Sequence, residues 1–259
     1  MFAPLFFLFN LTTGYLIGSI CSAVIVSQLF NLPDPRTEGS KNPGATNVLR
    51  LSGKKYAAIV LIVDMLKGFL PVLLAKMLGA GPVILGFTCC AAVLGHMYPL
   101  FFKFQGGKGV ATALGALLGF NFILGVMTIA TWLLVARLFR YSSLASMTAL
   151  VFAPFFSLYV VGNEQAFLPL AFIAIFVLYK HRDNITRLMD GNESKISFSK
   201  KGVIREEFED SVPAVTPTSP SKPGIKAKST PKEKAAAKLK SKTQLKTSEK
   251  SKKTVKKKG

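Results

Sequence analysis

The sequence predicts an all-α fold, a polytopic transmembrane helix bundle followed by a disordered basic tail. Three observations predict it. Half of the 259 residues are hydrophobic and the mean hydropathy is positive, which is too apolar for an ordinary soluble domain. The apolar residues gather in runs of span length, separated by short polar stretches. The charge is uneven: residues 1–199 carry 15 Lys/Arg against 7 Asp/Glu, a net of +8, and residues 200–259 carry 18 against 6, a net of +12. The chain therefore divides into a membrane domain over 1–199 and a Lys-rich cytoplasmic tail over 200–259.

A helix needs about 20 apolar residues to cross a hydrocarbon core. Residues 5–29, 56–78, 83–101, 142–161 and 166–179 are the span candidates. The first has neither a positive n-region nor a small-residue cleavage pattern, so it is a retained span and not a signal peptide. Residues 110–138 read either as one long helix or as a hairpin of short helices turning near Asn121. Basic residues decide between these readings. Arg36, Lys41, Arg50, Lys54 and Lys55 place the first loop inside, and the uncharged Gly79-Ala-Gly-Pro82 lies outside. Lys103, Lys108, Arg137, Arg140, Lys180 and Arg182 are all inside, which requires an even number of crossings between Lys108 and Arg137. The hairpin supplies two. Seven spans are favoured, with the N-terminus outside and the C-terminus inside. Five remain open if 110–138 and 142–179 each cross once.

Within the spans, Asp64 and Lys67 share a helix face at i,i+3. A lone charge there costs roughly 2.5–3.5 kcal/mol on insertion scales, so the two are expected to pair, as a structural unit or as a wall of a site. Cys21, Cys89 and Cys90 lie in apolar runs without metal-ligand spacing and read as buried thiols. No metal or cofactor is implied.

Three polar stretches punctuate the apolar runs, and all fall on the inner face. The first is Gly39-Ser-Lys-Asn-Pro-Gly-Ala-Thr-Asn-Val-Leu-Arg50. Its Gly39 and Gly44 permit an anion nest of backbone N–H groups; Ser40, Asn42, Thr46 and Asn47 add side-chain donors, and Arg50 can fork onto a phosphate. In the second, Gly106-Gly107-Lys108-Gly109 runs straight into an apolar helix, whose free N–H groups and dipole attract anions. It lacks the spacing of a nucleotide-binding P-loop. The third opens with His181 after the last span. If that helix continues, Asn184 and Arg187 share its face, and Glu193 and Lys195 read as a closing ion pair. His96 reads as structural, near the cytoplasmic end of its span. Together the stretches suggest a site for phosphorylated substrates at the membrane surface. The rival class is a transporter of a phosphorylated or anionic solute, but no internal repeat is evident and the polar groups sit at one surface and not at the midplane.

On these residues the chain resembles the bacterial acyl-phosphate:glycerol-3-phosphate acyltransferase family over residues 1 to about 199. Residues 39–50 resemble the family's Gly-Ser-x-Asn-x-Gly-Ala-Thr-Asn-x-x-Arg. His96 through Thr112 resemble its Gly-His-x-x-Pro to Gly-Gly-Lys-Gly-Val-Ala-Thr block, and His181 through Glu193 its His-x-x-Asn-Ile-x-Arg-Leu block. Lys41 departs from the pattern, where many members carry glycine. The resemblance implies transfer of a fatty acyl group from acyl phosphate to the 1-position of glycerol 3-phosphate, the first step of phospholipid synthesis, in the bacterial inner membrane. On that reading Ser40, Arg50 and Lys108 hold one substrate phosphate, while Thr46, Asn47 and the backbone of Gly44 and Gly107 cradle the other, with Asn42 and Arg187 also phosphate-binding. His181 and Asn184 are the catalytic candidates, orienting the glycerol hydroxyl or helping its proton leave. A phosphate oxygen of the substrate is the alternative base. The His-x4-Asp pair of CoA-dependent glycerolipid acyltransferases is absent: Leu100 and Ile185 stand at +4 from the two histidines. The tail has a disordered composition, and an anionic lipid surface is its expected partner; specific nucleic-acid binding is not expected.

Overall fold

The computed structural model describes residues 3–162 and 164–196. The basic tail, with its expected disorder and lipid contacts, lies outside the described residues, all of which belong to the compact unit Met1–Glu206. Among the described residues there is no strand. The helices are α1 (Ala3–Gly18), α2 (Ser22–Leu29), α3 (Ala45–Ser52), α4 (Lys54–Met77), α5 (Pro82–Met97), α6 (Val110–Phe120), α7 (Phe122–Phe139), α8 (Ser142–Val161), α9 (Phe167–Lys180) and α10 (Arg182–Met189).

Among the described residues, five stretches are long and apolar enough to cross a membrane: Ala3–Leu29, Lys54–Met77, Pro82–Phe102, Phe122–Phe139 and Ser142–Val161. α6 has only 11 residues and α9 only 14, so the favoured count of seven is not established by helix length. Neither 110–138 nor 142–179 is one continuous helix, since each is divided in two; five span-length stretches stand beside the favoured count of seven. The break in 110–138 falls at Asn121, where the hairpin reading placed it. Its side-chain oxygen accepts from the N–H groups of Ile123 (2.9 Å) and Leu124 (3.2 Å), capping α7. The first apolar run also departs from expectation: it is broken at Ser19–Cys21, and α2 starts afresh at Ser22.

Helices in lipid gain little from the hydrophobic effect and associate where small residues let backbones approach. Two contacts here are built that way. Gly14 and Gly18 of α1 face Thr88 and Ala92 of α5, and Gly95 of α5 faces the backbone of Tyr15. Gly68 of α4 faces Thr112, and Gly115 and Gly119 of α6 face the backbone of Met65 and Phe69. A side chain would be tight at Gly14 and would overlap the neighbouring helix at each of the others. α6 is consequently buried along nearly all its length. Large apolar side chains face outward instead, among them Ile62 and Leu70 on α4 and Leu133 and Leu134 on α7. A second apolar cluster, Ala23, Val26, Val48, Ala57 and Val60, clamps α3 against α2 and α4 and so fixes the first polar stretch to the bundle.

Candidate active site

The first polar stretch is organised by one side chain. Asn47, on the first turn of α3, is almost fully buried. Its oxygen accepts the Ser40 N–H (2.9 Å), and its amide donates to the carbonyls of Pro35 and Glu38, both at 3.0 Å. Both amide hydrogens are engaged, so Asn47 shapes the loop from within and has no donor left to offer an anion. Gly39 (φ +60°) lies against the Asn47 oxygen, where no side chain fits. Ser40, Thr46 and Arg50 are exposed, while Asn42 and Gly44 are half-buried.

The second stretch enters α6 through Gly109, left-handed at φ +79°. Gly107 is buried; its N–H donates to the His96 carbonyl (3.2 Å), and it packs against His96 Nε2 and the Pro43 carbonyl. The first and second stretches therefore touch at Pro43 and Gly107. The second and third meet at Lys108 and Asn184, whose side chains are hydrogen-bonded.

The third stretch differs from the continuous stripe expected. His181 ends α9 instead of extending it, with its N–H on the Val177 carbonyl (3.0 Å) and its ring Nδ1 2.8 Å from the same oxygen. That contact requires Nδ1 to carry the hydrogen, which leaves Nε2 as an acceptor. Burial, and next the charge of Lys108, push the His181 pKa down to about 4, so the ring is neutral at physiological pH. Asn184 and Arg187 are on α10, and both reach Glu193: Asn184 Nδ2 to Oε1 at 2.6 Å and Arg187 Nε to Oε2 at 2.8 Å. Ser143, from the start of α8, donates to the same Oε1 at 2.6 Å. The expected Glu193–Lys195 pair does not form, because Glu193 is taken by α8 and α10 while Lys195 lies over the Tyr141 ring. Burial alone would raise the Glu193 pKa; the bonds from Ser143, Asn184 and Arg187 outweigh it and hold the carboxyl below its usual range. A backbone pair between Ile196 and Arg140 ties down the segment that carries it (Ile196 N–H to Arg140 carbonyl, 2.6 Å).

Lys108 is the electrostatic centre of this arrangement. Burial, then the positive charges of Arg187 and Arg50, pull its pKa down to about 8 against the opposing carboxylates of Glu193 and Asp183. Of the residues singled out from sequence, Arg50, His181, Asn184 and Arg187 are thus each coupled to Lys108, by charge or by hydrogen bond. Ser40 and Thr46 have no side-chain bond to the other stretches among the described residues. Sequence reading missed Ser143, since a serine after a basic turn carries no distinguishing signal. It also missed the bridging role of Glu193, whose partners lie on two other helices.

Beneath the loop, the expected Asp64–Lys67 pair is formed (2.8 Å) and buried. The three cysteines are free and buried as anticipated.

The family model for glycerol-3-phosphate acyltransferase matches residues 8–191. A glycerol-3-phosphate acyltransferase of Legionella pneumophila (strain Lens) is 63% identical over 204 residues, 79% of this chain and 73% of that protein. One from Methylococcus capsulatus (strain Bath) is 50% identical over 183 residues, 71% and 92% of the two chains. The crystal structure of PlsY (YgiH), an integral membrane glycerol 3-phosphate acyltransferase in its glycerol 3-phosphate form, is similar with a TM-score of 0.69 and 43% identity, covering 74% of this chain and 96% of that one. With its apolar helices, this likeness makes the protein a multi-pass integral membrane protein. On the family match and these relatives, the chain belongs to the glycerol-3-phosphate acyltransferase family.

Proposed function

We propose that the protein transfers a fatty acyl group from an acyl phosphate to the 1-hydroxyl of glycerol 3-phosphate, giving 1-acyl-glycerol 3-phosphate and inorganic phosphate. The observation that carries this reading is the meeting of three distant polar stretches at Pro43–Gly107 and Lys108–Asn184. The charges of Arg187 and Arg50 act on half-buried Lys108, Glu193 and Asp183 offset only part of that, and a negatively charged reactant would relieve the rest. Both substrates carry a phosphate, for which the Gly106–Gly109 loop, Lys108, Arg50 and Arg187 are the ligands, with Ser40, Asn42, Thr46 and the Gly44 backbone on the open side of the first loop.

In the reaction the glycerol oxygen attacks the acyl carbon, the bond from that carbon to the phosphate oxygen breaks, and phosphate leaves with the electron pair. The donor is already activated, so no acyl-enzyme is required. Neutral His181 accepts the glycerol hydroxyl at Nε2 and orients it together with Asn184. With a pKa near 4, the ring is poorly matched to hold the proton at neutral pH. A phosphate oxygen, titrating near 6 as in phosphomonoesters, is better matched and receives it.

For topology we keep the inner-membrane, N-terminus-outside arrangement, with α6 and α9 as short crossings enclosed by protein and the tail cytoplasmic, against the anionic leaflet. Positive charge on the connecting loops supports it.

The test is purified protein in detergent with both substrates. Release of inorganic phosphate that needs acyl phosphate and glycerol 3-phosphate together supports the reaction. An equal rate with acyl-CoA replacing acyl phosphate overturns the donor assignment.

A further inference from the structure

A chain of buried polar groups runs from the α1–α2 break to the anion loop. Lys67 Nζ donates to the Ile20 carbonyl at 2.7 Å, satisfying a group left open by the break, and pairs with Asp64. Asp64 Oδ1 also accepts from Ser22 Oγ, in the first turn of α2, at 2.7 Å. The same oxygen is 3.5 Å from His96 Nδ1, a buried atom with no hydrogen-bond partner among the described residues. The other edge of the ring, Nε2, lies where a side chain on Gly107 would stand, and the His96 carbonyl holds the Gly107 N–H. His96 is therefore wedged between a buried carboxylate and the loop that precedes Lys108.

We propose that Asp64 and His96 are positioning residues, setting the depth at which Gly107 and Lys108 present themselves to a substrate phosphate. The inference rests on the reading that this loop binds phosphate. A buried ion pair is weak evidence for stability, since apolar replacements often do as well. Its placement between a helix break and an anion loop gives it a function that an apolar pair would lack. The Asp64 carboxylate lies 3.5 Å from the Nδ1 edge of the ring, on the α4 side; the opposite edge is the floor on which Gly107 rests. Displacement of a positioned group by about 1 Å can lower rate by roughly 100-fold.

A double-mutant cycle tests this. KM for both substrates, kcat and thermal unfolding are measured for His96→Ala, Lys108→Ala and the two combined, with His96→Asn serving if the alanine variant does not fold. Asp64→Asn with Lys67→Met removes the charge pair without stranding either partner. We expect His96→Ala to raise, by about 10-fold or more, the KM of whichever substrate Lys108→Ala affects, and to change it less than about twofold when Lys108 is already alanine. The charge-pair variant should shift the same KM. Equal effects of His96→Ala on both backgrounds, or unchanged kinetics in folded His96→Asn and the charge-pair variant, would overturn the proposal. If Lys108→Ala alone changes neither KM nor kcat, the phosphate reading of the loop fails instead.

Discussion

Lys108 and Asn184 are joined by a hydrogen bond across 76 residues of sequence, the ammonium donating to an amide oxygen whose nitrogen is held by Glu193. Asn184 is thus a spacer between a cation and a carboxylate: it keeps Lys108 oriented without neutralising it. Lys108→Ala is expected to lower kcat/KM by roughly 100- to 1,000-fold, the scale for removing one well-placed donor. Asn184→Ala should act in the same direction with a smaller effect. Initial rates on variants verified as monodisperse check this.

The lowered pKa of Lys108, about 8, has a direction that can be read in kinetics. Below it the side chain is charged and binds anions; above it the charge is lost. KM for the phosphorylated substrate should rise as pH passes from 7 to 9, where the charged fraction falls from about 90% to about 10%. Lys108→Arg should abolish this rise. Glu193 opposes the depression, so Glu193→Gln should move the limb to lower pH. A KM flat across this range in the wild type, measured at constant ionic strength, would contradict the charge assignment.

His181 is expected to contribute no inflection between pH 5 and 8, because it is already neutral there. His181→Gln, which keeps an acceptor, should retain more turnover than His181→Ala, which keeps none. A kcat profile with a limb near 6.5 that disappears in His181→Gln would make the ring a proton carrier and reverse this view.

Gly115→Val should destabilise the bundle by about 1–3 kcal/mol or more, because the new methyl groups meet the Met65 backbone and not a movable side chain. The measurement is thermal unfolding in detergent, with Gly162→Ala, at a position open to solvent, as a comparison of a different kind: there only the positive φ is strained.

Deletion of the chain after Arg205 should leave acyl transfer in detergent near wild type while reducing binding to vesicles rich in anionic lipid. Complete loss of turnover would place the tail in the reaction.

The apolar runs made most of the helices legible in the sequence, and the hairpin at Asn121 followed from counting basic residues on either side of it. The glycine contacts did not stand out, although Gly14 and Gly18 carry the four-residue spacing, because within an apolar run such spacing shows only once a partner helix is known. The α1–α2 break was hidden for a similar reason: its exposed carbonyl is satisfied by Lys67, 47 residues away. At the site, residue types announced an affinity for anions, yet Asn47 turned inward to hold Pro35 and Glu38. An asparagine's donors serve ligand or loop depending on where neighbouring carbonyls happen to lie. The partners of Glu193 depended likewise on how α8 approaches α10.

α6 leads directly out of the Gly106–Gly109 loop and is encased on nearly every side. Exposed leucines stand on α4 and α7, and no residue of α6 is exposed. The setting of the Gly106–Gly109 loop is thereby governed by the protein neighbours of α6 and not by a lipid-facing surface.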